Sequence, residues 1–130
     1  MKFCGIHHVA ILVSDAARAT AFYRDMLGLQ QIEIPPTFRE AGLNVVWLQL
    51  GDQQLHLLPA PTADVPARRH FAMHIDDAKQ AREQLAQRGL SIRETTPIPG
   101  ADRFFINDPD GNRIELIEWK VPCPIIPVTP

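Results

Sequence analysis

Only two cysteines, Cys4 and Cys123, stand in the 130 residues, and they lie near opposite ends. Two are too few for a disulfide framework, so reduced thiols are expected, with one bridge between neighbouring termini as the alternative. Long apolar runs are missing as well: none approaches the roughly 20 residues that a membrane span requires. Excess positive charge is also absent. Thirteen Lys and Arg against 15 Asp and Glu give a net charge of −2. Only Arg68-Arg69 are adjacent, so neither nucleic acid nor an anionic membrane is expected as a partner. A strand begins almost at the first residue, which leaves no room for a secretory leader. A cytoplasmic location is the default that follows. What remains, 45% hydrophobic and 22% charged residues, is one globular domain large enough to bury a core.

The sequence is written twice. H-V-A-I-L-V-S-D-A-A-R-A (8–19) aligns with H-F-A-M-H-I-D-D-A-K-Q-A (70–81), with histidine, alanine, aspartate, alanine and alanine coinciding. Each copy runs from a strand into an amphipathic segment ending in Gly-Leu, F-Y-R-D-M-L-G-L (22–29) and E-Q-L-A-Q-R-G-L (83–90). Gly28 and Gly89 read as helix C-termini, and Asp15 and Asp77 as N-caps. Short strands follow at 31–34 and 91–94. L-Q-L-G-D-Q-Q-L-H-L-L (48–58) then aligns with F-I-N-D-P-D-G-N-R-I-E-L-I (105–117), each a strand, a turn and a returning strand. The fold class predicted is α+β: two βαβββ modules, about 5–58 and 68–119, within one domain spanning 1–121. One helix covers only one face of a four-stranded sheet, so the two modules are expected to enclose a cleft between curved mixed sheets. Prolines at 122, 124, 127 and 130 predict an extended tail over 122–130.

The repeat singles out four polar residues within aliphatic strands. His8 and His70 are equivalent on the first strands, and His56 and Glu115 on the last. An imidazole or carboxylate inside an apolar run costs several kcal/mol of desolvation, on the order of 2–7 for a polar group, unless something satisfies it. Three imidazoles and a carboxylate suit one divalent ion of Zn, Ni, Fe, Co or Mn. His74 lies four residues beyond His70, about 13 Å at strand rise, and is left out. His7 precedes His8, aligns with Arg69, and is expected to point away from the cleft by strand alternation.

I-H-H-V-A-I-L-V-S-D, F-Y-R-D-M-L-G-L and F-F-I-N-D-P-D-G-N-R-I-E-L-I-E-W resemble the vicinal oxygen chelate superfamily over about residues 5–119. This group includes glyoxalases, bleomycin-resistance proteins and extradiol dioxygenases. The resemblance implies paired βαβββ modules around a divalent metal held by His8, His56, His70 and Glu115. It also implies a small-molecule substrate that chelates the metal through neighbouring oxygens, and modules that in many members pair across a homodimer. Catalytic roles fall on Glu115 and His56.

The resemblance implies a glyoxalase I-like lyase or isomerase, although that branch carries a carboxylate where His56 stands. An extradiol dioxygenase is the alternative, with His8, His70 and Glu115 as the two-His, one-carboxylate face on Fe(II). A thiol transferase of the fosfomycin-modifying kind would need a basic pocket, for which Arg39, Arg103 and Arg113 are the candidates. A non-catalytic binding protein is the remaining reading, and four ligand-type residues weigh against it. Trp47, Gln49, Phe71, Met73, Phe104 and Phe105 are candidate walls, and Arg103 reads foremost as a solvated surface residue.

Overall fold

The computed structural model describes residues 1–62 and 64–122. The expected tail, beyond Pro122, and Cys123 lie outside the described residues. Cys4 is a free, exposed thiol. The chain divides into two compact units, residues 1–71 with 107–113, and residues 72–106 with the segment from Ile114 onward.

In the first unit, strand β1 (His8–Val13) leads into helix α1 (Ala16–Ala21), which continues as a π-helical turn over Phe22–Met26. Asp15 caps α1, its side chain accepting from the Arg18 N–H at 3.0 Å. The wider turn is marked by the Leu27 N–H donating to the Phe22 carbonyl at 3.1 Å, five residues back. Strand β2 (Gln30–Ile32), helix α2 (Pro36–Glu40), strand β3 (Val46–Leu50) and strand β4 (Gln53–Pro59) follow. The sheet order is β1-β4-β3-β2, with β1 parallel to β4 and the other pairs antiparallel.

The register sorts the side chains by face. Leu48 pairs with Leu55 and Val46 with Leu57. These residues are buried, together with Ala19, Phe22 and Tyr23 of the helix. The apolar face therefore packs under α1, as the alternation demands. The opposite face carries Trp47 paired with His56, Gln49 with Gln54, and His8 beside Gln54.

Helix α2 was not expected from the sequence. Its signal was present, as Pro36 occupies the first turn and Gly42 follows its end at φ 69°. Five residues are too few to show a helical period, so the Pro35-Pro36 pair reads first as loop.

The second unit contains strand β5 (Phe71–His74), helix α3 (Ala78–Gln87), strand β6 (Arg93–Glu94), strand β7 (Ala101–Asn107) and strand β8 (Arg113–Trp119). The sheet order β5-β8-β7-β6 repeats that of the first sheet. Asp77 caps α3 by accepting from the Gln80 N–H at 2.8 Å. At the other end the Leu90 N–H donates to Leu85 and the Gly89 N–H to Ala86, with Gly89 at φ 84°. This left-handed cap needs glycine. The strand, helix, strand, strand, strand unit thus occurs twice, as the repeat predicts. The short strands are displaced: β2 starts one residue earlier than expected, and β6 keeps only two residues.

Arg82 of α3 organises one face of the second sheet. Its guanidinium pairs with Asp102 at 2.6 Å and Glu94 at 2.7 Å, and lies 4.8 Å from the Phe104 ring centroid. The Arg82 hydrogen bond holds the Asp102 carboxyl below its usual range.

The D-P-D-G-N turn between β7 and β8, grouped with the first unit, centres on Asp108. One oxygen of its buried carboxylate accepts from the Asp110 and Asn112 N–H groups, at 2.9 and 2.8 Å. The other accepts from the Tyr23 hydroxyl and the Asn112 side-chain amide, both at 2.8 Å. The Asn112 amide also donates to the Leu12 carbonyl at 2.9 Å, and Asp110 accepts from the Ser14 backbone and hydroxyl. Burial, then Asp108, pushes the Tyr23 hydroxyl strongly up, so it stays a donor.

Two predictions follow from these contacts. Tyr23→Phe removes one charge-assisted bond and is expected to cost about 1.5 kcal/mol, whereas Asp108→Ala strands four donors and should cost about 3 kcal/mol or more. Urea unfolding of both variants checks the order, and equal losses contradict it. Because the Asp102 carboxyl is lowered in the folded state, its contribution is fully present above the unfolded carboxylate value of about 4 and is lost as pH falls through and below it. Unfolding measured between pH 6 and 3 should therefore show wild type losing stability more steeply than Arg82→Gln.

Candidate metal centre

Three of the four expected site residues belong to the first unit. His8 opens β1 and His56 sits inside β4, on the sheet face opposite α1. Their imidazoles stack with centroids 4.1 Å apart and planes 16° from parallel. Trp47 lies on the other side of His56, 4.2 Å away and parallel within 1°. His56 is thereby sandwiched and buried at the middle of a three-ring stack, whereas His8 is exposed at its rim.

That burial, followed by the neighbouring His8 and His7, lowers the basicity of the His56 imidazole below its ordinary value. His56 is therefore neutral at neutral pH and retains one lone-pair nitrogen. Its Nε2 lies 2.8 Å from the Gln54 side-chain oxygen. With that oxygen accepting, Nε2 carries the proton and Nδ1 the lone pair.

His70 stands one residue before β5, not within the strand as the repeat suggested. Its Nδ1 donates to the Arg68 carbonyl at 2.9 Å. A carbonyl only accepts, so Nδ1 carries a proton, the contact by which metal-binding histidines are oriented. His74 is exposed at the end of β5.

His7 behaves differently from the strand-based expectation. It precedes β1, where alternation is not enforced, and its Nδ1 lies 2.9 Å from that of His8. The two rings meet edge to face at 5.2 Å. His7 is exposed, as expected, but it shares the surroundings of His8.

Glu115 belongs to the second unit, on β8. The residues that meet α3 are Glu94, Asp102 and Phe104 through Arg82, and Glu118, which accepts from the Ala78 N–H at 2.9 Å. Strand alternation then turns Arg103, Phe105 and Glu115 to the opposite face. Glu115 is buried and pairs with Arg103 at 3.1 Å.

Arg103 corrects the surface reading. Its side chain is 17% exposed, and Nη2 donates to the Thr96 carbonyl at 2.8 Å. The signal available in the sequence was its parity, two residues from Phe105 on a strand antiparallel to β6. Of the other basic candidates, Arg39 is exposed on α2, 3.9 Å from Glu33. Arg113 is half-buried at the start of β8.

Three of the four residues lie on equivalent strands, and His70 stands just ahead of its strand. His8 and His56 touch, His70 is anchored through Nδ1, and Glu115 sits on the face opposite α3. The described residues contain no group of three or more His, Cys, Asp or Glu side chains close enough to hold an ion. Phe38 of α2 meets Trp47 edge to face at 5.5 Å, which adds a further aromatic wall beside the stack. No helix among the described residues is long and apolar enough to cross a membrane.

Comparison with known proteins agrees with this architecture. A lactoylglutathione lyase from Salmonella typhimurium is 29% identical over 124 residues, covering 87% of this chain and 91% of its own. The mitochondrial methylmalonyl-CoA epimerase of Mus musculus is 41% identical over 131 residues, covering 88% and 73%. The crystal structure of a glyoxalase family protein from Bacillus anthracis superimposes with a TM-score of 0.84 at 26% identity, covering 92% of this chain and 98% of that one. The family model described as Glyoxalase/Bleomycin resistance protein/Dioxygenase superfamily matches residues 5–116. The chain belongs to that superfamily.

Proposed function

We propose that this protein is a metal-dependent isomerase that moves a proton on a carbon next to a carbonyl. The observation that carries the reading is the placement of ligand-type residues opposite the helix in both sheets. The stacked His8 and His56 lie on that face of one sheet, and Glu115 on that face of the other. A methylmalonyl-CoA epimerase at 41% identity and a lactoylglutathione lyase at 29% support this class of chemistry. His56 favours the epimerase side of the pair, because it replaces the carboxylate expected of a glyoxalase I.

The donor set fits a divalent ion of Zn, Ni, Fe, Co or Mn. His8, His56, His70 and Glu115 would hold it: the basicity of His56 is lowered by burial, and the His70 ring is oriented through its Nδ1. A bound ion supplies Lewis acidity to two neighbouring oxygens of the substrate. A homodimer is the assembly we assign to this site, with ligands drawn from both copies.

The chain's own groups supply the rest of the chemistry. The Glu115 carboxylate, through an oxygen not given to the ion, or the neutral His56 imidazole, where its Nδ1 lone pair is left off the ion, would accept the proton from carbon and return it. Trp47 fixes the His56 ring plane, so that the lone pair keeps one direction. Trp47 and Phe38 line the approach with aromatic surface, which excludes water from the carbanion-like carbon. The dioxygenase alternative draws on the same His8, His70 and Glu115, and an oxygen-uptake assay with a catechol separates it.

Two predictions test the reading. Protein purified without chelator should contain one divalent ion per site by elemental analysis, and His70→Ala and Glu115→Gln should each lose most of it. Metal-free wild type that has unchanged stability after His70→Ala contradicts the assignment. In deuterium oxide the metal-loaded protein should exchange the proton α to the carbonyl of methylmalonyl-CoA or of the hemithioacetal of methylglyoxal and glutathione, followed by proton NMR. His56→Ala should slow that exchange about 100-fold or more, the range in which removal of a general base falls. Absence of exchange on both substrates sinks the proton-transfer reading.

A further inference from the structure

The face of the second sheet opposite α3 carries a guanidinium in an unusual state. Arg103 is largely buried and uses Nη1 for Glu115 and Nη2 for the Thr96 carbonyl. Its Nε is buried and has no hydrogen-bond partner among the described residues. A buried guanidinium N–H without an acceptor is costly, so it marks a position where an acceptor belongs. Arg93 is the register partner of Phe105 and so occupies the same face. One cation, Arg103, pairs with the Glu115 carboxylate, a second lies on the same face, and the Arg103 guanidinium is 5.9 Å from the Phe105 ring. On the first sheet, by contrast, the face opposite α1 bears His8, His56, Trp47, Gln49 and Gln54, with no Lys, Arg, Asp or Glu among them.

We propose that Arg103 is an oxyanion clamp held closed by Glu115. In the metal-free protein the carboxylate neutralises the guanidinium. When a divalent cation takes Glu115, two positive groups face one carboxylate, and Arg103 turns its planar fork to a carboxylate or phosphate on the substrate. This rests on the reading of Glu115 as a metal ligand. The fork geometry suits planar or tetrahedral oxyanions, which a lysine would hold only as a point charge. The substrate class is therefore an anionic acyl compound, not a neutral carbonyl. Metal and anion binding must also be coupled, each strengthening the other by the same factor.

Isothermal titration calorimetry with malonate and with inorganic phosphate tests this on chelator-stripped and Zn-loaded full-length protein. Metal-free Glu115→Gln should bind at least one of the two anions tenfold or more tighter than metal-free wild type, because the clamp has lost its internal partner. Malonate alone responding marks a carboxylate group, and phosphate alone a phosphate group. The double variant Glu115→Gln with Arg103→Gln buries neither charge, so it should fold, and it should lose the whole gain. Arg103→Lys in the Glu115→Gln background should keep only part of it. Neutral dimethyl malonate should not distinguish the variants.

Equal anion affinity in wild type and Glu115→Gln overturns the clamp, as does tight binding that persists in the double variant. Zn binding that leaves wild-type anion affinity unchanged overturns its release by metal. Failure of wild type to bind Zn at all, with the gain in Glu115→Gln intact, sinks the metal reading and leaves the clamp standing.

Discussion

The buried Asp108 carboxylate is the interaction on which the rest of the first unit depends. Four donors converge on it: two backbone N–H groups of its own turn, the Asn112 amide and the Tyr23 hydroxyl. Through Tyr23 it fixes the π-helical turn that ends the first helix. Through Asn112, which also donates to Leu12, it fixes the end of β1. A carboxylate buried without such partners would be expelled to solvent or protonated, so the turn, the helix end and the strand end must form together. The phasing of β1 then decides which side chains lie opposite the helix, and His8 is among them.

The candidate site inherits its electrostatics from this framework. The basicity of His56 is lowered first by burial, with Trp47 and His8 covering its two ring faces, and then by the neighbouring His8 and His7. Glu115 is buried and paired with Arg103 at 3.1 Å. The proposed donor residues thus meet different surroundings: aromatic stacking on one sheet and an ion pair on the other.

Much of this was legible in the sequence because the chain repeats itself. One histidine in a strand carries little information, but His8 aligned with His70, and His56 with Glu115, single out four positions. Strand alternation put Trp47 and Gln49 on one face, and the register that pairs Trp47 with His56 came only with the structure. The parts that were not legible depend on contacts distant in sequence or on very short elements. Helix α2 has only five residues, too few to show a period. Arg103 looked solvated because its partner lies twelve residues away across a turn. His7 escaped the alternation rule because β1 begins only at His8. The D-P-D-G-N stretch read as a turn, and its larger role required Tyr23, 85 residues distant.

The central claim is that His8, His56 and His70 converge with Glu115 on one divalent ion. The most direct measurement is a Zn titration followed through the imidazole nitrogens of uniformly ¹⁵N-labelled protein. The account predicts that one nitrogen of each of these three histidines shifts together, saturating at one ion per site, while His74 stays still. Shifts confined to a single histidine, or spread equally over all five, would contradict it.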